Sequence, residues 1–225
     1  NRVSHELRTP LTNILLNVDL AAESADEASG ESARRLSLVQ EEARRLGRLI
    51  ENVLTFSRHE QGKLRNDPHA CVPSSVIDAV VAQFASSFAR RALAVRRTSD
   101  VSAPCLLDAD ALAQILANLL SNVEKYVPGG MVEIAATLDA DLLAIVVSDE
   151  GPGIPAEAAE RIFRPFERLD SRVNEGATGT GLGLAIARDL AASMGGSLRL
   201  IPSGRGAAFE LRVPASNAPG ISAVA

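Results

Sequence analysis

Several things are scarce in this 225-residue chain, and each scarcity removes a class of function. The only cysteines are Cys71 and Cys105, without metal-ligand spacing, so neither a disulfide framework nor a cysteine-built metal site is expected and a reducing compartment is implied. No apolar run approaches the roughly 20 residues that a bilayer-spanning helix needs, and no secretory leader is visible in the segment. Positive charge is not in excess: 23 lysines and arginines against 28 acidic residues give a net charge of -5. With a pI near 5.3 and no dominant basic face, nucleic acid is not an expected partner. Neither a G-x-x-x-x-G-K-[ST] loop nor a G-x-G-x-x-G fingerprint is present, which argues against nucleotide sites of the P-loop and Rossmann kinds. What is there, 46% hydrophobic and 23% charged residues, suits a globular chain able to bury one large core or two small ones. The first residue is Asn1 and helical patterning is already under way there, so the sequence reads as an excerpt from a longer chain.

Val3, Leu7, Leu11, Ile14, Val18, Ala21 and Ala25 recur at intervals of four and three, one apolar stripe of a helix running to about Ala25. After the small and polar stretch "ESADEASGES", a second seam follows: Leu36, Val39, Ala43, Leu46, Ile50 and Val53, on a helix reaching about Gln61. Two such helices in a hairpin cannot cover both stripes alone, so a second copy completing a four-helix bundle is the expected solution. From about Pro68 the pattern mixes helix and strand. Pro73 to Ala92 reads as a helix, "LAVRRTS" and "PCLLD" as short strands, and Ala109 to Tyr126 as an apolar helix capped by Asp108 or Asp110. Two hairpins follow, "GGMVEIAATLD" with "ADLLAIVVSDE" and "GSLRLIP" with "AAFELRVP". Between them lie a short helix after Pro155, a glycine-rich loop and a helix from about Gly181 to Met194. Strands and helices without regular alternation predict an α+β sandwich with helices on one face of the sheet, and a frayed tail after Pro214.

His5 lies two residues from both Val3 and Leu7, about 200° around the helix from either, so it points away from the buried stripe. An exposed histidine is ordinarily no more than that. Here Glu6 can act as base or orienting acceptor for one ring nitrogen, leaving the other as a nucleophile, and Thr9 stands one turn along the same face. Pro10 frees a carbonyl and lets the helix bend nearby. On the later helix Asn118, Asn122 and Lys125 form a polar face opposite Leu112, Ile115, Leu116, Leu119 and Val123. Amides are unusual choices for mere solvation; an amide oxygen can ligate Mg²⁺ beside phosphate oxygens, and a lysine offers phosphate a point charge. In "DEGPG", Asp149 at a strand end can accept from a base amine while glycines admit the ring. "GATGTGLGL", Gly176 to Leu184, runs into a helix N-terminus, a natural anion cradle.

"SHELRTPL", "NLLSNVEKY", "DEGPG", "FRPF" and "GTGLGL", in that order, resemble the H, N, G1, F and G2 boxes of two-component sensor histidine kinases, over nearly the whole chain. The resemblance implies a dimeric helical-hairpin bundle at residues 1–66 for dimerisation and histidine phosphotransfer, a GHKL-type ATP-binding domain at 67–216 and a flexible tail at 217–225. His5 would be the phospho-acceptor, Glu6 would assist its phosphorylation, and Thr9 would help dephosphorylate the phosphorylated regulator. Asn122 would bind Mg²⁺, Asn118 and Lys125 would contact the phosphates of ATP, and Tyr126 would pack near the adenine. Asp149 would hold the adenine amine, while Gly151, Gly153, Gly179, Gly181, Leu182 and Gly183 would shape the pocket and a lid from about Arg164 to Gly181. Phe163 and Phe166 are expected as core anchors of the lid base. Arg161, Arg164, Arg168 and Arg172 form a basic set there, one or more of which could reach phosphate or the dimerisation helices. Implied partners are a second copy, the receiver domain of a response regulator and an upstream sensor region. The implied place is a cytoplasmic segment, compatible with a bacterial receptor anchored in the inner membrane. A GHKL-family ATPase without phosphotransfer, or a kinase-like scaffold, would share the later boxes; the first would lack "SHELRTP", the second would show a broken nucleotide site. One departure stands out: in "GAAF" Ala207 replaces the family's common threonine, so Asp149 is expected to hold the base alone or through water.

Overall fold

The computed structural model describes residues 11–14, 16, 18, 31–99, 101–139, 141–167 and 180–217. His5, Glu6, Thr9 and Gly179 lie outside the described residues, as do Arg168, Arg172 and the loop expected between the first two helices. Residues 11–14, 16 and 18 are helical, and Leu11, Leu16 and Val18 are exposed.

Helix α1 (Glu31–Glu60) is the second helix of the expected hairpin. It ends where Gly62 N–H donates to His59 O at 2.8 Å and Lys63 N–H to Arg58 O at 2.8 Å, the paired bonds that absorb orphan carbonyls at a helix C-terminus. Leu36, Ile50 and Leu54 of α1 are exposed and form an apolar flank that is uncovered among the described residues.

A five-stranded sheet carries the rest. β2 (Leu93–Ser99) runs parallel to β4 (Gly130–Asp139), and the pairs β4 with β5 (Leu142–Asp149), β5 with β7 (Ala208–Pro214) and β7 with β6 (Ser197–Ile201) are antiparallel. The strand order is β2-β4-β5-β7-β6. Burial alternates along the hairpin strands, with Val132, Ile134 and Ala136 inward on β4 and Leu143, Ile145 and Val147 inward on β5. Against that face lie α2 (Pro73–Arg90), α3 (Ala109–Tyr126) and α4 (Gly183–Ser193), which bring Phe84, Leu112, Ile115, Leu116, Leu119 and Ile186 into one core. Each such apolar side chain contributes about 1.5–3 kcal/mol by leaving water. The α+β sandwich is the architecture expected from the patterning.

α3 starts where the sequence places it: Asp108 is the cap, its Oδ1 accepting from Ala111 N–H at 2.9 Å. Its other oxygen accepts from Asp67 N–H at 3.0 Å, tying the linker after α1 to the start of α3. The short helix expected after Pro155 is two 3₁₀ turns, Ala156–Ala158 and Arg161–Phe163. A second, three-stranded sheet goes beyond what the patterning predicts. It sets β1 (His69–Cys71) and β8 (Ser216–Asn217) on either side of β3 (Cys105–Leu107), all antiparallel. The frayed tail expected after Pro214 is therefore corrected: Ala215 is buried and donates its N–H to Asp141 O at 2.8 Å, and Ser216–Asn217 pair with β3. Among the described residues, no helix is long and apolar enough to cross a membrane.

Candidate nucleotide site

Three structural features that the sequence marks as chemical meet along the ends of α3, β5 and α4. The first is the turn after β5. Asp149 Oδ1 accepts from Gly151 N–H at 2.8 Å and from Ala207 N–H at 3.2 Å, while Asp149 N–H donates to Ala207 O at 2.9 Å. The carboxylate is thus oriented by two backbone donors, and Ala207, which offers no hydroxyl, reaches it through its main-chain N–H. Gly206 makes this possible. It adopts φ +67, and an added Cβ would overlap the Asp149 carbonyl oxygen. Gly153 abuts Gly206 O, and a Cβ on Gly151 would meet Asp149 Oδ1 and Val127 at 2.9 Å. Tyr126 is half-buried at the last residue of α3, one residue before Val127.

The second feature is the polar face of α3. Asn122 and Lys125 are half-buried, but Asn118 is not open: it is only 5% exposed. Its Oδ1 accepts from Asn52 Nδ2 at 2.9 Å, and its own Nδ2 is buried with no hydrogen-bond partner. A buried amide left unpaired costs about 1–3 kcal/mol, so this group is poised for an acceptor.

The third feature is the end of the glycine-rich loop. Leu182, the residue before α4, makes no side-chain cap, so the first N–H groups of α4 have no side-chain acceptor there. The Leu182 side chain is buried in the core, and its N–H donates to Thr180 Oγ1 at 3.3 Å. Gly183 lies against Asn118; a Cβ there would sit 3.4 Å from Asn118 Oδ1. Gly181, at φ +76, is pressed against the backbone of Phe166 and Glu167, and its carbonyl accepts from Phe166 N–H at 3.0 Å. That bond joins the two feet of the expected lid.

Phe163 is buried against Phe209 with centroids 6.2 Å apart, the core anchor expected. Phe166 is not: it is 45% exposed, at φ 63, and its ring meets Phe56 of α1 edge-on at 5.6 Å. Arg161 is held by Glu167 at 2.7 Å rather than free for phosphate, and Arg164 is exposed.

Sequence reasoning missed the contribution of α1. Asn52 and Thr55 are buried, and Gln114 Nε2 donates to Asn52 Oδ1 at 3.2 Å and to Thr55 Oγ1 at 3.1 Å. Around them, Arg48 stacks over Phe84 at 4.8 Å and pairs with Glu124 at 3.9 Å, Arg90 pairs with Glu41, and His59 lies 3.7 Å from Asp189. Burial lowers the Arg48 pKa and raises that of Asp189, the latter opposed by His59 and Arg188. The available signal was local: two uncharged polar residues and Phe56 on one flank of a helix otherwise rich in arginine and glutamate.

Two family models match the chain. Residues 1–62 match "His Kinase A (phospho-acceptor) domain" and residues 107–217 match "Histidine kinase-, DNA gyrase B-, and HSP90-like ATPase". The sensor histidine kinase RcsC of Escherichia coli K12 is 34% identical over 215 residues, 94% of this chain and 22% of that protein. WalK of Bacillus subtilis is 33% identical over 199 residues, 87% of this chain and 33% of that protein. The chain thus spans between about a fifth and a third of the length of these relatives. Among solved structures, full-length ShkA in complex with AMPPNP superposes with a TM-score of 0.68 at 27% identity, over 96% of this chain and 45% of that one. Acinetobacter baumannii histidine kinase AdeS gives 0.65 at 22% identity over 93% and 97%, a likeness of fold.

Proposed function

Because this chain belongs to the sensor histidine kinases, we propose that it phosphorylates its own His5 from ATP and passes the phosphoryl group to an aspartate of a response regulator. The observation that carries the reading is the meeting of Asn118 and Gly183: a buried amide whose NH₂ is unpaired and whose oxygen side faces a helix start that lacks a side-chain cap, donors an anion can use. Asp149, oriented by two backbone donors, is suited to accept from the amine of adenine, and Gly151, Gly153 and Gly206 let the main chain pack closely around that carboxylate. Lys125, in the last turn of α3, supplies a point charge for phosphate, and the N–H groups leading into α4, with Gly179, Gly181 and Gly183, cradle it.

Among the described residues no group of three or more His, Cys, Asp or Glu is placed to hold a metal. The half-buried Asn122 would offer a Mg²⁺ ion its amide oxygen beside phosphate oxygens and water, a donor set that suits it, and the ion would offset charge on the phosphates. Glu6 orients the His5 ring and takes its proton. The free ring nitrogen forms a bond to the γ-phosphorus as the bond to the bridging oxygen breaks and ADP departs. Thr9 serves the reverse duty, hydrolysis of the phosphorylated regulator. Residues 1–66 form the dimerisation and phosphotransfer region and residues 67–216 the ATP-binding region. The exposed Leu36, Ile50 and Leu54 support a homodimer through α1, which sedimentation of the chain checks. An upstream sensor, in a receptor anchored at a membrane with this segment in the cytoplasm, completes the reading.

The test is incubation with γ-labelled ATP and Mg²⁺, then acid and alkali treatment. Label lost in acid and kept in alkali is expected. Acid-stable label, or nucleotide bound without label, overturns phosphotransfer in favour of a GHKL ATPase or a scaffold.

A further inference from the structure

The chain's only two cysteines are distant in sequence, yet the fold sets them opposite each other. Cys71 ends β1, Cys105 begins β3, and the antiparallel register pairs the two directly. Opposite residues of an antiparallel pair have Cα atoms about 4.5 or 5.5 Å apart, according to the kind of pair, and both values fall within the roughly 4.4–6.8 Å that a disulfide spans. Both thiols are free and they meet: the Cys105 thiol donates to the Cys71 sulfur, while Cys71 Sγ donates to Leu107 O at 3.8 Å. Cys105 is fully buried in the core, whereas Cys71 is half-buried. Burial pushes both thiols up, Cys105 to about 11, and the hydrogen bond from Cys105 opposes the rise at Cys71. Cys71 is therefore the more accessible of the two and the more readily ionised.

We propose that Cys71 and Cys105 form a redox site, closed reversibly into a disulfide between β1 and β3 by oxidants of the low-molecular-weight disulfide class. The Cys71 thiolate attacks one sulfur of the small disulfide, forming a mixed disulfide and releasing one small thiol. Cys105, already beside it, gives up its proton and displaces the second small thiol from the Cys71 sulfur. Two protein S–H bonds and one small-molecule S–S bond become one protein S–S bond and two small-molecule S–H bonds; the cysteine pair loses two electrons and the small disulfide gains them. The ring so closed encloses α2 and β2. Asp67, just before β1, bonds to Asp108, just after β3, so the cross-link also fastens the segment following α1 to the start of α3. The site requires nothing of the nucleotide pocket.

The test is incubation of the folded chain with glutathione disulfide, an acid quench, alkylation in denaturant and intact mass measurement. The wild-type chain is expected to lose the mass of two hydrogens and to resist alkylation, and dithiothreitol restores both thiols. Cys105→Ala instead keeps glutathione on Cys71, and Cys71→Ser takes up none. Closure raises the urea midpoint of the wild-type chain by about 1–2 M and slows amide exchange at Asp67; Cys71→Ser treated in the same way shows neither change. If Cys105→Ala does not fold, the wild-type masses and the Cys71→Ser midpoint decide. Two thiols that stay open to alkylation, glutathione that persists on wild-type Cys71, or a bond between two chains overturns the proposal. So does an unchanged or lowered midpoint after closure, the sign of a bond made only in a distorted chain.

Discussion

The two ends of the proposed nucleotide site are built on different principles. At the adenine end every fixed element is main chain from within one domain: the Asp149 carboxylate is aimed by the N–H groups of Gly151 and Ala207, and Gly206 lets two strands' ends touch. At the phosphate end the decisive groups are side chains, one of which, Asn118, is shared with Asn52 on a helix 66 residues away in sequence. Backbone-built geometry persists as long as the sheet does; side-chain geometry shared between helices lasts only while they stay together.

The sharpest separation comes from His5→Gln, which belongs to neither end: labelling from γ-labelled ATP is expected to vanish while calorimetric ATP affinity stays that of wild type. Gly206→Ala attacks the adenine end through the backbone. With φ +67 and a carbonyl oxygen in the space the new Cβ would take, it should lower unfolding free energy by about 2–4 kcal/mol in urea titrations and abolish adenosine binding. Asn122→Ala, at the phosphate end, should leave the urea midpoint in place and weaken Mg-ATP at least about tenfold, or 1.4 kcal/mol, with adenosine unaffected. Ala207→Thr is expected to change ATP affinity by less than about 0.5 kcal/mol, because the Ala207 N–H already holds Asp149. Smallest is the acid-range slope due to Asp189, on α4 beside His59. Burial raises its pKa above the ordinary carboxylate value, so the native chain holds that proton more firmly than the unfolded one. Its contribution to stability is then largest with the proton on and declines as pH rises from about 4; Asp189→Asn should flatten that decline in urea titrations stepped through the acid range.

Much of this was legible because the relevant information is local. The Asp108 cap and the start of α3 follow from one carboxylate before an apolar repeat, and the β4–β5 and β6–β7 hairpins follow from alternation between turn residues. Residue types at the site were likewise readable from five short motifs. Contacts between distant elements were not. The polar face of α3 reads as open because Asn118, Asn122 and Lys125 share one stripe, yet a second helix covers its first residue. Phe166 reads as core because "FRPF" gives two rings equal standing, whereas the turn at Phe166 sends one outward to Phe56. The three-stranded sheet joins strands of two or three residues, too short for any periodicity to register.

That small sheet also acts as a mechanical joint. His69, the first residue of β1, stands opposite Leu107, the last of β3, and Asp108 at that same end grips both Asp67 N–H and the first turn of α3. Tension between the linker and α3 is thus applied at one mouth of an antiparallel pair, where bonds break in succession rather than all at once. The first bond to take the load is the carboxylate clasp. A displacement along α1 is thereby passed to the helix bearing Asn118, Asn122 and Lys125 at its N-terminal cap.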